Sequence, residues 1–173
     1  MISTEGDWLK VRWYKEEDLP RLAEIHAECF PKEHWTVNDF RRFTRKRNNT
    51  LKVLADQNGE VFGILLYTLT NEECRIRRIA VPEAYRRNGY GTHLVHSLTG
   101  PQSPIRRKLF TARVRGDNVA GLLFFRDNKL GFVFDPEAPR HIYRDGMEGF
   151  TFFYRKPARR PPTLVTSTGQ RMG

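Results

Sequence analysis

The sequence predicts a mixed α/β (α+β) fold, with a mainly antiparallel central sheet of six to seven strands flanked by about four helices. Three observations carry this. Residues 50–81 form three short strand-like runs separated by turn clusters, one of them Asn58-Gly59, the strongest short-range hairpin signal. Residues 16–30, 89–98 and 118–130 repeat their apolar positions at helical spacing. The longest apolar run, Val61–Tyr67, is broken by Gly63 and falls far short of the ~20 residues a membrane span needs.

The elements follow in order. Trp8–Tyr14 alternates and reads as a strand. Leu19, Leu22, Ile25 and Cys29 share one face of the first helix, with Asp18 and Pro20 as start signals. Thr36 and Asp39 make a capping-box pattern, and Trp35 is placed to staple onto Phe40. The second helix then turns Val37, Phe40 and Phe43 inward and an arginine cluster, residues 41–47, outward. Strands over 50–55 and 61–69 meet at the Asn58-Gly59 turn, and Asn71-Glu72-Glu73 turns the chain again. Cys74–Val81 completes the meander, and Pro82 stops it. Gly89–Leu98 is a helix ended by Gly100-Pro101. Lys108–Val114 is a strand, Asn118–Leu130 a helix leaving at Gly131, and strands at 132–134 and 150–155 close the domain. Residues 1–156 therefore read as a single domain. Residues 157–173, rich in Pro, Thr, Ser and Arg without periodicity, are expected to form a basic, disordered tail.

Composition narrows the class. A chain of 173 residues buries a core without disulfides or metal, and 39% hydrophobic with 12% aromatic residues argues against wholesale disorder. The formal charge of +10 is concentrated. Residues 41–47 hold five cations and residues 155–173 another five, with no acid in either stretch. Each cluster reads as a solvated surface or as a contact for a polyanion. Cys29 and Cys74 have no metal-ligand spacing, so no zinc site is expected, and two free thiols suit a reducing cytoplasm. The first residues lack the basic and apolar regions of a secretory signal.

The chemistry-bearing stretch is Ile79–Thr92, IAVPEAYRRNGYGT. A strand ends, a loop turns, and a helix begins at two glycines. A helix start carries unpaired N–H groups and positive dipole character, which suits a phosphate. Gly89 and Gly91 are expected to let backbone approach a ligand, and Arg86 and Arg87 add charge. Alone, the stretch reads equally as a glycine-softened turn with solvated arginines. A dinucleotide fingerprint fits worse, because it needs a G-x-G-x-x-G run after a parallel strand.

Arg86-x-x-Gly89-x-Gly91 resembles the acyl-CoA signature of the Gcn5-related N-acetyltransferase (GNAT) family, and the element order over about residues 8–156 is similar to that family's. Asn118–Phe125, followed by Leu130-Gly131-Phe132, is similar to its second helix motif. Phe30-Pro31 with Trp35-Thr36, and Tyr143-Arg144-Asp145-Gly146-x-Glu148, resemble the ribosomal-protein N-terminal acetyltransferase branch. The resemblance implies that acetyl-CoA lies in a splay between the fourth and fifth strands. A bulge in the fourth strand would leave backbone at Ile79, Ala80 and Val81 free to pair with pantetheine. Arg86, Arg87, Asn88, Gly89, Tyr90, Gly91 and Thr92 would hold the pyrophosphate, with Asn118 and Phe125 completing the cofactor site. The acetyl group would pass by direct attack, in a ternary complex, to a primary amine: a protein N-terminus, a lysine or a small molecule. Two alternatives stay open, a degenerate acyl-CoA-binding sensor and a nucleic-acid-bound acceptor such as aminoacyl-tRNA.

The sequence also departs from that branch. Arg113 stands where the resemblance implies a Glu base, and Phe125, or Phe124 in a shifted register, stands where it implies a Tyr acid. Glu73 and Tyr143 are the replacement catalytic residues, against ordinary readings as a turn acid and a hairpin tyrosine. Glu148 shares the Tyr143 hairpin. His26 and His34 border the acceptor side of such a fold but read as structural or surface residues. Cys74 has little beyond Arg75 to activate it.

Overall fold

The computed structural model describes residues 8–158. The expected tail therefore lies outside the described residues from 159 onward. The order is β1 (Lys10–Trp13), α1 (Leu19–Cys29), α2 (Val37–Thr44), β2 (Asn49–Ala55), β3 (Val61–Leu69), β4 (Glu73–Ala80), α3 (Tyr90–Thr99), β5 (Leu109–Arg115), α4 (Val119–Arg126), β6 (Val133–Phe134), β7 (His141–Ile142) and β8 (Glu148–Arg155). The sheet runs β1-β2-β3-β4-β5-β8-β6, with β7 also paired to β8. Every pairing is antiparallel except β4 with β5. The α3 crossover is what makes that pair parallel, since two parallel strands cannot be joined by a tight turn.

The sheet is buried on two faces by two sets of side chains. Leu19, Leu22 and Ile25 of α1 and Phe40 of α2 pack on Val53, Ile64 and Leu66. On the other face Leu94, Val95 and Leu98 of α3 and Phe125 of α4 pack on Leu65, Tyr67, Ile76 and Phe110. β2 and β3 are covered on both faces, which explains their near-continuous apolar runs. β4 and β5 are covered by helices mainly on the α3/α4 face; on the other, the α1/α2 cluster reaches β4 only at Ala80. Their opposite face stays open and polar.

Two local expectations differ from the structure. The first helix begins one turn later, because Glu16–Asp18 wind as a 3-10 turn ahead of α1. The helix after Asn118 ends at Arg126, where Asp127 turns extended, and a 3-10 turn covers 128–130. β7 has no sequence signature because two residues carry no periodicity. The capping box is present: the Thr36 N–H and hydroxyl both donate to the Asp39 carboxylate at 2.8 Å. Trp35 closes on Phe40 edge-on, with ring centroids 5.3 Å apart.

His26 is the anomaly of this core. It is fully buried, stacks on Trp35, lies tilted against Phe30, and neither ring nitrogen has a hydrogen-bond partner. Burial, helped by the charge of Arg78, pulls its pKa down from 6.5 to about 4. The folded protein therefore holds His26 neutral while the unfolded chain protonates it first. Stability is full above pH 6.5 and falls as the pH drops toward 4, where His26 alone costs about 3 kcal/mol. Thermal melts of wild type and His26→Leu between pH 7 and pH 4.5 check this; the variant is expected to lose most of the dependence across that window.

Candidate active site

The site begins where β4 and β5 part. Their parallel ladder runs from Glu73 opposite Leu109 to Ile76 opposite Ala112 and ends there. The cause lies in β4. Its pairing with β3 shifts between Leu66 and Tyr67, so Arg77 is an extra residue with no opposite number. Such a bulge bends its strand and increases local twist. Residues 77–80 consequently leave the β5 edge without a strand partner, as the expected bulge requires. β5 instead continues along β8 as far as Gly149.

At the open end of the splay the chain enters α3 through an unusual turn. Arg87 has φ 67° and Gly89, the N-cap, has φ 76°. Positive φ at a non-glycine residue such as Arg87 is a stored strain that surrounding contacts must hold. Asn88 does so, donating its amide to the Tyr85 and Arg86 carbonyls at 3.0 and 3.3 Å. Among the described residues, none of the N–H groups from Arg87 to Thr92 meets a protein acceptor. A Cβ on Gly89 would point into open space. A row of unpaired donors beside open space, at a positive helix end, fits a pyrophosphate.

Several expected cofactor residues do other work. A Cβ on Gly91 would meet the Phe124 ring at 2.9 Å. The missing Cβ at Gly91 therefore lets α3 pack against α4, while its N–H stays among the free donors. Phe125 is buried among Phe124, Phe132 and Phe152, so it belongs to the core; of the two phenylalanines, Phe124 is the one beside Gly91. The Asn118 side chain caps α4 by accepting from the Gly121 N–H at 2.9 Å. The Val81 carbonyl, expected free, accepts from Arg86 Nε at 2.9 Å and from the Cys29 thiol at 3.5 Å. Arg86 thus braces the loop. Tyr90 packs partly into the core.

On the open face, the cross-strand register sets Thr111, Arg113 and Arg115 of β5 opposite Phe153, Thr151 and Gly149 of β8. Arg78 is stacked by Phe30 and Trp35, 5.2 and 4.8 Å from their ring centres, and pairs with Glu33. The Phe30-Pro31 and Trp35 patch is thereby explained: it clamps an arginine at the rim of the splay. Tyr143 rises from the turn before β8, its ring 4.6 Å from the Arg115 guanidinium. Arg115 also holds Asp117 and Asp145, and Lys32 reaches Asp117 from the α1–α2 loop at 3.0 Å. Burial raises the pKa of the Tyr143 hydroxyl, with Arg113 opposing and Glu33 adding to it. Glu33, Arg77 and Arg78 had no distinguishing motif in the sequence; only the fold brings them to this face.

Glu73 lies at the closed end of the ladder. It pairs with Arg75 and accepts from Thr111 Oγ1 at 2.6 Å. Glu148 turns to Arg140 at 2.9 Å, on the rim. His34 is exposed. Burial, with the charge of Glu73, pushes the Cys74 thiol up to about 12, which leaves no thiolate for nucleophilic work. Within the 41–47 cluster, Arg41 is engaged by Glu16 and Arg42 by Asp39. Among the described residues no helix is long and apolar enough to cross a membrane.

A parted parallel strand pair, with an amide-lined helix start on one side and an open polar face on the other, is the candidate site of an acyltransferase. The chain belongs to the Acetyltransferase (GNAT) family, whose model matches residues 19–132. The fold is shared with ribosomal-protein-S18-alanine N-acetyltransferase from Escherichia coli, at 19% identity and TM-score 0.65 over 90% of this chain and 98% of that one. Ard1 from Thermoplasma volcanium is similar at 21% identity and TM-score 0.71, over 87% and 99%. Spermidine N-acetyltransferase from Vibrio cholerae, in complex with CoA and spermine, is similar at 12% identity and TM-score 0.68, over 87% and 97%. No curated protein matches the chain.

Proposed function

We propose that this protein transfers an acetyl group from acetyl-CoA to a primary amine that enters from the open face of β4 and β5. The observation that carries this reading is the parted β4–β5 ladder opening beside the unpaired N–H groups of Arg87–Thr92. Those donors, with the dipole of α3, suit the CoA pyrophosphate. The free β5-side edge of residues 77–80 suits the amide groups of pantetheine. Acetyl-CoA supplies an activated thioester. The chain supplies position, which is the larger part of aminolysis of such a bond.

Proton handling follows from the open face. Tyr143, buried enough to keep its proton, is the donor for the leaving thiolate. Glu73 is the carboxylate available to take the amine proton through water, although Arg75 and Thr111 already engage it. Arg113 does not replace a base. Its charge, with that of Arg77, favours the neutral amine over the ammonium, because like charges disfavour the charged form.

The test is acetyl-CoA turnover against a panel of free amino acids, polyamines and peptide N-termini, read as thiol release. Turnover with one class of amine supports the reading. CoA binding without turnover on any amine favours a sensor, the reading suggested by Arg113 and the phenylalanines of α4.

A further inference from the structure

The open face holds five arginines close to the splay: Arg75, Arg77, Arg78, Arg113 and Arg115. Three are matched. Arg75 pairs with Glu73, Arg78 with Glu33, and Arg115 with Asp117 and Asp145. Arg77 and Arg113 have no carboxylate partner among the described residues, and both are exposed. Their positions are particular. Ile76 opposite Ala112 is the last pair of the β4–β5 ladder, so Arg77 and Arg113 are the first residue on each strand beyond it. They stand on either side of the point where the strands open.

The surroundings aim at least one of them. A Cβ on Gly149 would meet the Tyr143 ring at 3.0 Å and the Arg113 Cγ and Cδ at 3.3 Å. The missing side chain thus makes the groove in which the Arg113 stem lies beside Tyr143. Desolvation, and then the charges of Arg75, Arg78 and Arg113, hold Arg77 below its ordinary pKa. His141, against the Tyr143 ring, is likewise lowered by desolvation and by Arg113. Two unmatched guanidinium groups crowded at one mouth repel each other. They persist at a cost that an anion bound between them removes, and guanidinium forks suit a carboxylate in two-point geometry.

We propose that the acceptor amine carries a carboxylate of its own, held by Arg77 and Arg113 at the mouth of the splay. This rests on the acetyl-transfer reading and narrows its substrate class from amines in general to acidic ones. The carboxylate is that of a free amino acid or that of an acidic residue beside a peptide's terminal amine. It disfavours polyamines, whose added positive charge meets the same arginines.

The experiment uses matched pairs: glutamate against its α,γ-diamide, and a short peptide with Glu against Gln at its second position. Acetyl transfer and calorimetric binding to the CoA-loaded protein are both measured, with wild type, Arg77→Gln, Arg113→Gln and the exposed rim variant Arg140→Gln. The acid member of at least one pair is expected to have a KM at least about tenfold lower than its amide, as a charged hydrogen-bonded contact requires. Arg77→Gln and Arg113→Gln should erase most of that gap, and Arg140→Gln should not. The pair that shows the gap identifies the source of the carboxylate. Equal KM within both pairs, or a gap that survives both variants, overturns the inference while acetyl transfer stands. No transfer to any amine, with acid-selective binding that needs Arg77 and Arg113, overturns the transferase reading and upholds only the carboxylate contact at the two arginines. Absence of both transfer and acid-selective binding overturns both.

Discussion

Gly89→Val is expected to weaken CoA binding by about a hundredfold or more while leaving most of the fold intact. Two effects add. At φ 76° the N-cap of α3 sits in the left-handed region, where a β-branched side chain is strained, so the turn is expected to relax away from its present shape. The new side chain also projects into the open space beside the free N–H groups of Arg87–Thr92. Losing even two charge-assisted contacts to a pyrophosphate, at about 1.5–3 kcal/mol each, amounts to roughly two to four orders of magnitude in affinity. Gly91→Ala is the contrasting variant. Its Cβ meets Phe124 at 2.9 Å and points at no ligand space, so it is expected to lower the melting temperature more than the affinity. Gly91→Ala with Phe124→Leu should recover stability. Calorimetry with CoA and thermal melts on the same preparations separate these outcomes. If Gly89→Val binds CoA as wild type does, the cradle has been misassigned.

The second large effect is on the chemical step. Tyr143→Phe is expected to lower kcat by at least about tenfold, within the ~10²–10⁴-fold that general acid–base catalysis typically contributes. The KM for acetyl-CoA should change little, because Tyr143 stands on the acceptor face, away from the α3 turn. Glu73→Gln is expected to cost less, since its carboxylate is already shared by Arg75 and Thr111 at the closed end of the ladder. Arg113→Glu completes the set. It places a carboxylate where the related branch has one, so kcat with a neutral amine should rise, while the KM for a carboxylate-bearing amine should worsen. Full activity in both Tyr143→Phe and Glu73→Gln would assign proton transfer to other groups.

Much of this protein could be read without its structure. The meander over 50–81, the capping box at Thr36 and the glycines before α3 are local features, dictated by neighbours within a few residues. Their chemistry therefore survives in the linear sequence, and the family resemblance rests on the same local motifs. The turn residues also set the proposed phosphate cradle, because positive φ at Gly89 is a property of the turn itself.

What the linear pattern could not supply is which side chain faces which neighbour across the sheet. Gly89 and Gly91 look alike in sequence, yet one opens onto solvent and the other onto the Phe124 ring. Phe124 and Phe125 are adjacent, but the rotation of α4 buries Phe125 in the core and leaves Phe124 at its edge. Val81 lost its expected free carbonyl to an arginine five residues on. Arg77 and Arg113 lie 36 positions apart in sequence and become neighbours only because β4 and β5 run parallel and part after Ile76 and Ala112. Sequence determined the fold and the cofactor turn through short-range conformational preferences. Only long-range strand register and the bulge at Arg77 decided the composition of the acceptor face.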